Sequence, residues 1–330
     1  MYHRRVLLTA SGNATSFFMP KLFKRVIEPR YPASAVGLER GTVSVVHLDR
    51  GRGNSCRIRN AATFNIGDAL IQPSFDDVNL PNPAQLVDVL RQLATSVGLM
   101  RQKRWSVALP QGAARTLVLT MEQPAQGAEL QEVLKWKIER GFGVELDELS
   151  IARERLPKDA QGRDRYLTIA VKRTVLGEYE RVCESLGWRA GLILPRHIGE
   201  SQWLIRNGAV GDSLLLSRSE HGFTAVIFRG KQPLIVRSVS CTPEEGEDEL
   251  YRLLLFYRDR QTDGQAEEPK LSRLMVLGEG VRKEHVCALV NETIGGDLRL
   301  LEAEDLGLLL PTRELSFDAI AAPAGLATLS

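Results

Sequence analysis

The chain has 330 residues, 43% of them hydrophobic and 25% charged, with a formal net charge of +2 at pH 7. That length exceeds a single core and implies two domains or subdomains, and so small a net charge excludes a general nucleic-acid coat, which needs a basic surplus. Cys56, Cys183, Cys241 and Cys287 lie far apart with no Cys-x-x-Cys pair, which argues against a zinc site or disulfide framework and fits a reducing compartment.

The chain begins MYHRRVLLTASGNATSFFMPKLFKR, in which VLLTA is too short for a signal-peptide core, so residues 1–32 read as a tail. No apolar run approaches the ~20 residues that span a bilayer, and a cytoplasmic protein is expected. The basic clusters KLFKRVIEPR and RQKRW read as solvated faces. AVGLER, VSVVHL and SCRIRNAATFNI then read as three strands separated by Gly and Asn turns. Asn82-Pro83 opens a helix, with Leu86, Val89, Leu90, Leu93 and Val97 on one face and Gly98 closing it.

WSVALP and ARTLVLTM read as strands, followed by a helix over ELQEVLKWKIERGF with Leu130, Val133, Leu134 and Ile138 on its apolar face. SIARERL and YLTIAVKR flank the polar turn KDAQGRD, and a helix from Thr174 to Gly187 takes Thr174 as its cap. This unit, 104–187, reads as an inserted small α/β subdomain. Trp136, Phe142 and Trp188 flank it and are expected in its core. Lys135, Lys137 and Arg140 beside Trp136 form a basic, aromatic stretch that could receive a peptide, with burial of the tryptophan the simpler reading.

HIGESQWLIRNG reads as a helix, and DSLLLSRS, GFTAVIFRG and QPLIVRSVS repeat the three-strand meander. A helix carrying Leu250, Leu253, Leu254 and Tyr257 follows, then LMVL, the helix EHVCALVNETIGG, the strand LRLLEA and a closing helix. A βββα unit thus occurs twice, at 34–97 and 212–258, with a cleft expected between two lobes. The histidines build no site on paper: His47 alternates with apolar strand neighbours, and His285 and Cys287 face different directions. Ser217, Ser219 and His221 lack a positioned acid, and PEEGEDEL is explained by a helix N-terminus.

VGLERGTVSVVHL, the stretch from WSVALPQGAARTLVLT to SIARERL, YLTIAVKRTVLGEYERVCESLGWRAGLILPRH and the closing AAPAGLA together resemble the PilM family, the actin-like cytoplasmic proteins of type IV pilus assembly, themselves similar to FtsA. The resemblance runs from about residue 33 to 328 and rests on order and spacing rather than on one motif. It implies an α/β, actin-like (ASKHA) two-lobed fold: a first lobe at 33–103 with 188–210 and 308–330, the inserted unit at 104–187, and a second lobe at 211–307.

The resemblance also implies ATP with magnesium in the cleft, held by Gly37, Glu39, Gly41 and Thr42 in the first hairpin, Ser217 and Ser219 in the second, and Gly278 and Gly280 in the adenosine loop. Each element departs from the family pattern. Glu39 replaces an Asp, the turn after Gly41 is shorter and lacks its Lys, Ser217-Arg218-Ser219 replaces Asp-x-Gly, and Glu279 separates a Gly pair. Magnesium needs oxygen ligands that Ser217 does not supply as charge, and a Cβ at Ser219 enters space that a phosphate turn keeps open. The expectation is therefore a degenerate cleft without hydrolysis, more readily empty of cofactor than filled. By the same resemblance the partner is the cytoplasmic N-terminal peptide of a PilN-like protein, held between the inserted unit and the first lobe, with other platform proteins or motor ATPases as further partners. The chain would lie peripheral to the inner membrane, touching it only through partners. The alternatives are an active actin-like ATPase or small-molecule kinase, an FtsA-like filament protein, and a secretion-system relative.

Overall fold

The backbone builds three sheets, and their strand order repeats a pattern. In the first, the meander β1 (Ser34–Glu39), β2 (Thr42–Arg50) and β3 (Cys56–Asn65) is antiparallel, and β4 (Arg104–Leu109) and β8 (Arg189–Pro195) extend it in parallel on the β1 side. A two-residue strand, β14 (Leu308–Leu309), pairs in parallel with β3 and completes the order β14-β3-β2-β1-β4-β8. The second sheet has the same logic: β9 (Asp212–Ser219), β10 (Gly222–Arg229) and β11 (Gln232–Ser240) form the meander, and β12 (Leu271–Leu277) and β13 (Arg299–Leu300) add in parallel. The duplicated lobes of an actin-like fold are present. The computed structural model describes residues 31–50, 56–207, 211–262, 271–278, 280–295, 298–312 and 315–329. The expected tail up to residue 30, and Glu279, lie outside the described residues.

Helices cover the outer face of each sheet. On the first, α1 (Pro83–Ser96) starts where Asn82 accepts a hydrogen bond from the Gln85 amide, and it buries Leu86, Val87, Leu90, Leu93 and Ala94. Val89 and Val97, expected on that face, pack at its margin because the face rotates toward Val87 and Ala94. On the second sheet, α5 (Gly246–Thr262) and α6 (Lys283–Ile294) bury Leu250, Leu253, Leu254, Tyr257, Val286 and Val290. Between the lobes lie α4 (Arg196–Arg206) and α7 (Phe317–Ala327), whose backbones approach very closely. A Cβ on Gly325 would stand 1.9 Å from the Gly199 carbonyl, and one on Gly199 would stand 2.2 Å from that of Ala322. Only glycine permits that approach. Trp203 Nε1 donates to the Ala321 carbonyl at 2.8 Å and fixes the register.

The third sheet, β5-β7-β6, is antiparallel and built from β5 (Arg115–Thr120), β6 (Leu149–Leu156) and β7 (Arg165–Lys172). It carries α2 (Gly127–Phe142), which buries Leu134, Ile138 and Phe142. Two segments of 104–187 sit elsewhere than the sequence reading puts them. β4 is a central strand of the first sheet, and α3 (Arg173–Ser185) packs Val175, Leu176, Tyr179 and Val182 into the first lobe with α1. The reason is burial on both faces of β4, which a strand at the edge of a small sheet does not have. Thr174 is not a cap: β7 runs into α3 with no loop, and the capping position is Lys172, without a side-chain bond. Trp188 stacks on Trp105 in the first lobe at 4.2 Å, Phe142 is in the small core, and Trp136 is 53% exposed. The strand expected over LRLLEA is only the two residues of β13.

Candidate functional site

β1, β4, β8, β9 and β12 all end at one gap between the lobes, where α/β sheets place ligands. The resulting cleft has a volume of about 1400 Å³. Gly37, Glu39, Gly41, Thr42, Ser219, Gly278 and Gly280 line it, so seven of the eight residues named from sequence are brought together. Ser217 is the exception in exposure: it is fully buried, and its hydroxyl has no hydrogen-bond partner among the described residues.

The glycines answer to packing as much as to any ligand. A Cβ on Gly37 would come within 2.5 Å of the Ser44 hydroxyl and 3.0 Å of the Pro323 ring, so β1 is narrow there to admit α7. Gly278, with φ +140°, lies against Arg218, whose carbonyl would be 2.8 Å from an added Cβ. Gly41, with φ +76°, completes a turn of two residues, since Glu39 pairs with Thr42 across the hairpin. The second hairpin also turns on two residues, Glu220 and His221, with Ser219 paired to Gly222.

The carboxylate of Glu39 is already engaged. Its Oε2 accepts from Arg196 Nη1 at 2.6 Å, while Arg196 Nε donates to Glu200 Oε1 at 2.8 Å. The Glu200 side chain is fully buried, and those of Arg196 and Glu39 are 10% and 22% exposed. Burial alone would lower the Arg196 pKa, but the Glu200 and Glu39 carboxylates outweigh it and hold the guanidinium charged. The next residue, His197, is driven to about 3 by burial, with repulsion from Arg196 second. Its neutral ring bonds through Nε2 to the buried Thr116 hydroxyl at 3.0 Å, joining α4 to β5 of the small sheet.

The two hairpin tips meet directly. Arg40 reaches from the first to His221 of the second, and its Nε lies 3.3 Å from Glu220 Oε2. Gln111, just after β4, fills the space behind them. Its backbone amide donates to Glu39 at 3.4 Å. With the side-chain amide turned to match its neighbours, it donates to the Ser217 carbonyl and accepts from the Thr224 amide, both at 3.2 Å. Arg218 also lines the cleft and reaches the start of α5, where a Cβ on Gly246 would lie 3.1 Å from its Nη2. Among the described residues no cluster of three His, Cys, Asp or Glu could hold a metal, and no helix is long and apolar enough to cross a membrane.

Sequence reasoning missed Arg196, His197, Gln111 and the Arg40 contact. Arg196 and Glu200 stand four apart at the start of a helix, a spacing that pairs charges and was legible. Their link to Glu39 was not, because it joins positions 157 apart.

No protein-family model matches the chain, and no curated protein matches it in sequence. Among solved structures, a chain of a PilM–PilN type IV pilus biogenesis complex superposes with a TM-score of 0.72 at 16% identity, covering 91% of this chain and 98% of that one. A Bacteroides thetaiotaomicron protein described as having an actin-like ATPase fold gives 0.46 at 11% identity, over 86% of this chain and 94% of its own. The cytoplasmic domain of EpsL, an inner-membrane component of the Vibrio cholerae type II secretion system, gives 0.47 at 11%, over 90% and 94%. The chain shares its fold with the first of these.

Proposed function

We propose that this chain is a cytoplasmic scaffold of a type IV pilus assembly platform, which holds the N-terminal peptide of a PilN-like protein and does not turn over nucleotide. The likeness to the PilM–PilN chain along nearly its whole length, inserted unit included, is the observation that carries this reading. The peptide would lie between that unit and the first lobe. There Phe75 stacks with Phe142 at 6.5 Å, Arg115 lies 4.2 Å over Phe75, and Asp76 pairs with Lys172 at 2.7 Å. An extended peptide would gain affinity there from main-chain hydrogen bonds and specificity from exposed side chains such as Arg115 and Asp76, over a floor formed by the two buried rings. Other platform proteins or motor ATPases would bind the assembled unit, and the inner membrane would be reached through the partner.

The cleft residues do not fit a magnesium nucleotide. Magnesium would take its oxygens from a carboxylate on each hairpin, yet Glu39 is already ion-paired with Arg196, which it shares with Glu200, and position 217 offers a buried hydroxyl. Turns of two residues leave few backbone amides to converge on a phosphate, and Arg40 with Glu220 spans the gap where one would sit. Only the cleft volume favours the rival, an actin-like ATPase.

Calorimetric titration of the full chain with a synthetic PilN-like N-terminal peptide, beside thermal shifts with Mg-ATP and Mg-ADP, separates the two. A ligand at a hundred times its Kd adds about 2.7 kcal/mol to stability. Peptide heat without a nucleotide shift is the expected result. A nucleotide shift with phosphate release establishes the ATPase, and absence of peptide heat removes the scaffold.

A further inference from the structure

The strand β11 is the outer strand of the second sheet, and among the described residues β10 is the one strand that pairs with it. Val236, Arg237, Ser238, Val239 and Ser240 all line the cleft. Successive side chains of a strand point to opposite faces, so five consecutive lining residues mean that the backbone edge itself fronts the cavity. Across the cavity, β5 is likewise the outer strand of the small sheet, and Arg115, Thr116 and Leu117 line the same space. An exposed strand edge is a template for one more strand, and folds normally blunt or cover it. Here the cover reaches only the start of β11, where Arg165 Nη2 donates to the Pro233 and Leu234 carbonyls at 3.3 and 2.8 Å.

The walls beside that edge carry hydroxyls and charges that already have partners. The Thr224 and Ser238 hydroxyls share a hydrogen bond at 2.9 Å, and Thr116 bonds the neutral His197. Arg237 lies 3.7 Å from Glu249, and Arg115 lies 3.2 Å from Asp76. A charged side chain brought into this lane would lose water without a new partner, so the lane suits an uncharged strand. The rim is different. Asp68 lines both the cleft and an adjoining cavity of about 550 Å³, which Asp77 also lines. Among the described residues neither carboxylate has a cation within ion-pair distance, because Arg40 is held by Glu220 and Lys172 by Asp76.

The sequence holds a segment with the matching pattern. VLLTA, Val6–Ala10, is an uncharged run of strand length preceded directly by Arg4 and Arg5, and it lies outside the described residues. We propose that Arg4–Ala10 docks in the cleft as an extra strand on the edge of β11, with its two arginines meeting Asp68 and Asp77. Length permits it. β1 runs six residues, about 20 Å, from the entry of the chain to the cleft, and the twenty residues from Ser11 to Arg30 reach to roughly 66 Å. The tether also raises the local concentration of the segment above that of any separate peptide. The space between the lobes is then filled by the protein itself.

Amide hydrogen exchange on the full chain is the test. Wild type should exchange slowly at residues 236–240. Leu7→Pro with Thr9→Pro removes two donors and the extended pairing geometry, and should speed exchange there about tenfold while the unfolding midpoint moves little. Asp68→Lys with Asp77→Lys should give a smaller rise, as should high salt. A synthetic RRVLLTA peptide added to the proline variant should restore slow exchange. Wild type that exchanges as fast as the proline variant overturns the proposal, since the edge then stands open. A proline variant as slow as wild type also overturns it and assigns the cover to another part of the chain. Protection that grows with protein concentration overturns it in favour of exchange between copies. Neither a PilN-like peptide nor a nucleotide enters the assay, so its failure is separate from any failure of the scaffold reading.

Discussion

At the residue scale, Arg196 is where the cleft departs most from an ion-binding one. A buried guanidinium between Glu39 and Glu200 supplies internally the positive charge that a metal would bring. Removing one member of such a buried set leaves charges without compensation, at a cost of about 3–5 kcal/mol, whereas replacing all members with neutral groups is often close to neutral. Arg196→Met should therefore lose that much in urea unfolding. Adding Glu39→Gln and Glu200→Gln should restore most of it; a triple variant as unstable as the single one refutes the account. The adjacent His197 contributes with a definite sign. Its folded pKa of about 3 lies below the unfolded value of about 6.5, so between those values the unfolded chain binds the extra proton. Stability falls as pH drops through that window by up to about 1.4 kcal/mol per unit, and the effect is absent above it. His197→Gln, which keeps a polar partner for Thr116, should flatten the fall between neutral pH and about pH 4 in denaturant midpoints. Equal slopes in both proteins would assign the acid sensitivity elsewhere. Neither residue was marked in the sequence, because a buried Arg or His looks like a surface one until its partners are known.

At the element scale, the meanders and outer helices were legible because period-two and period-3.6 patterns are local. Asn82-Pro83 marked the start of α1, and the three-strand groups repeated visibly before α1 and α5. What was not legible depends on crossovers. β4 joins β1 in parallel rather than its sequence neighbour β5, which moves β4 and α3 out of the inserted unit. β14 is too short to carry a pattern at all. The α4–α7 contact explains why AAPAGLA is so small and apolar: the helix is buried almost throughout, with Gly325 against Gly199. A methyl at Gly325 has backbone in its way, so Gly325→Ala should cost at least about 1–3 kcal/mol as an overpacking change. Gly177, within α3, meets nothing within 4 Å, and Gly177→Ala should gain about 0.5–1 kcal/mol through helix propensity. Thermal unfolding should move the two variants in opposite directions. A neutral Gly325→Ala would mean that α4 and α7 separate without loss.

At the scale of the whole molecule, polar contacts tie the lobes at several places besides that crossing, Lys283 to Asp318 at 3.0 Å among them, and three lie around the cleft. Arg40 meets Glu220 and His221 at the hairpin tips, and Gln111 bridges Glu39 to the Ser217–Thr224 pair behind them. Farther out, Arg165 on β7 donates to the Leu234 carbonyl of β11 at 2.8 Å and so links the small sheet to the second lobe. The first tie is exposed, and such pairs contribute only about 0–1 kcal/mol and weaken in salt. The Arg165 bond is nearly buried and charge-assisted, a class worth about 1.5–3 kcal/mol. Neither tie alone should hold the cleft, since the crossing of α4 and α7 survives the loss of either. Together they limit rotation about it. Arg40→Ala with Arg165→Ala should therefore speed amide hydrogen exchange at residues 40–44 and 219–223 and enlarge the radius of gyration in solution scattering, while the unfolding midpoint moves far less than for Gly325→Ala. Exchange at those tips that matches wild type would mean that α4 and α7 alone fix the lobes. For the proposed scaffold such redundancy would be a gain, because a peptide bound between the small sheet and the first lobe would meet a surface already ordered and lose less conformational entropy on binding.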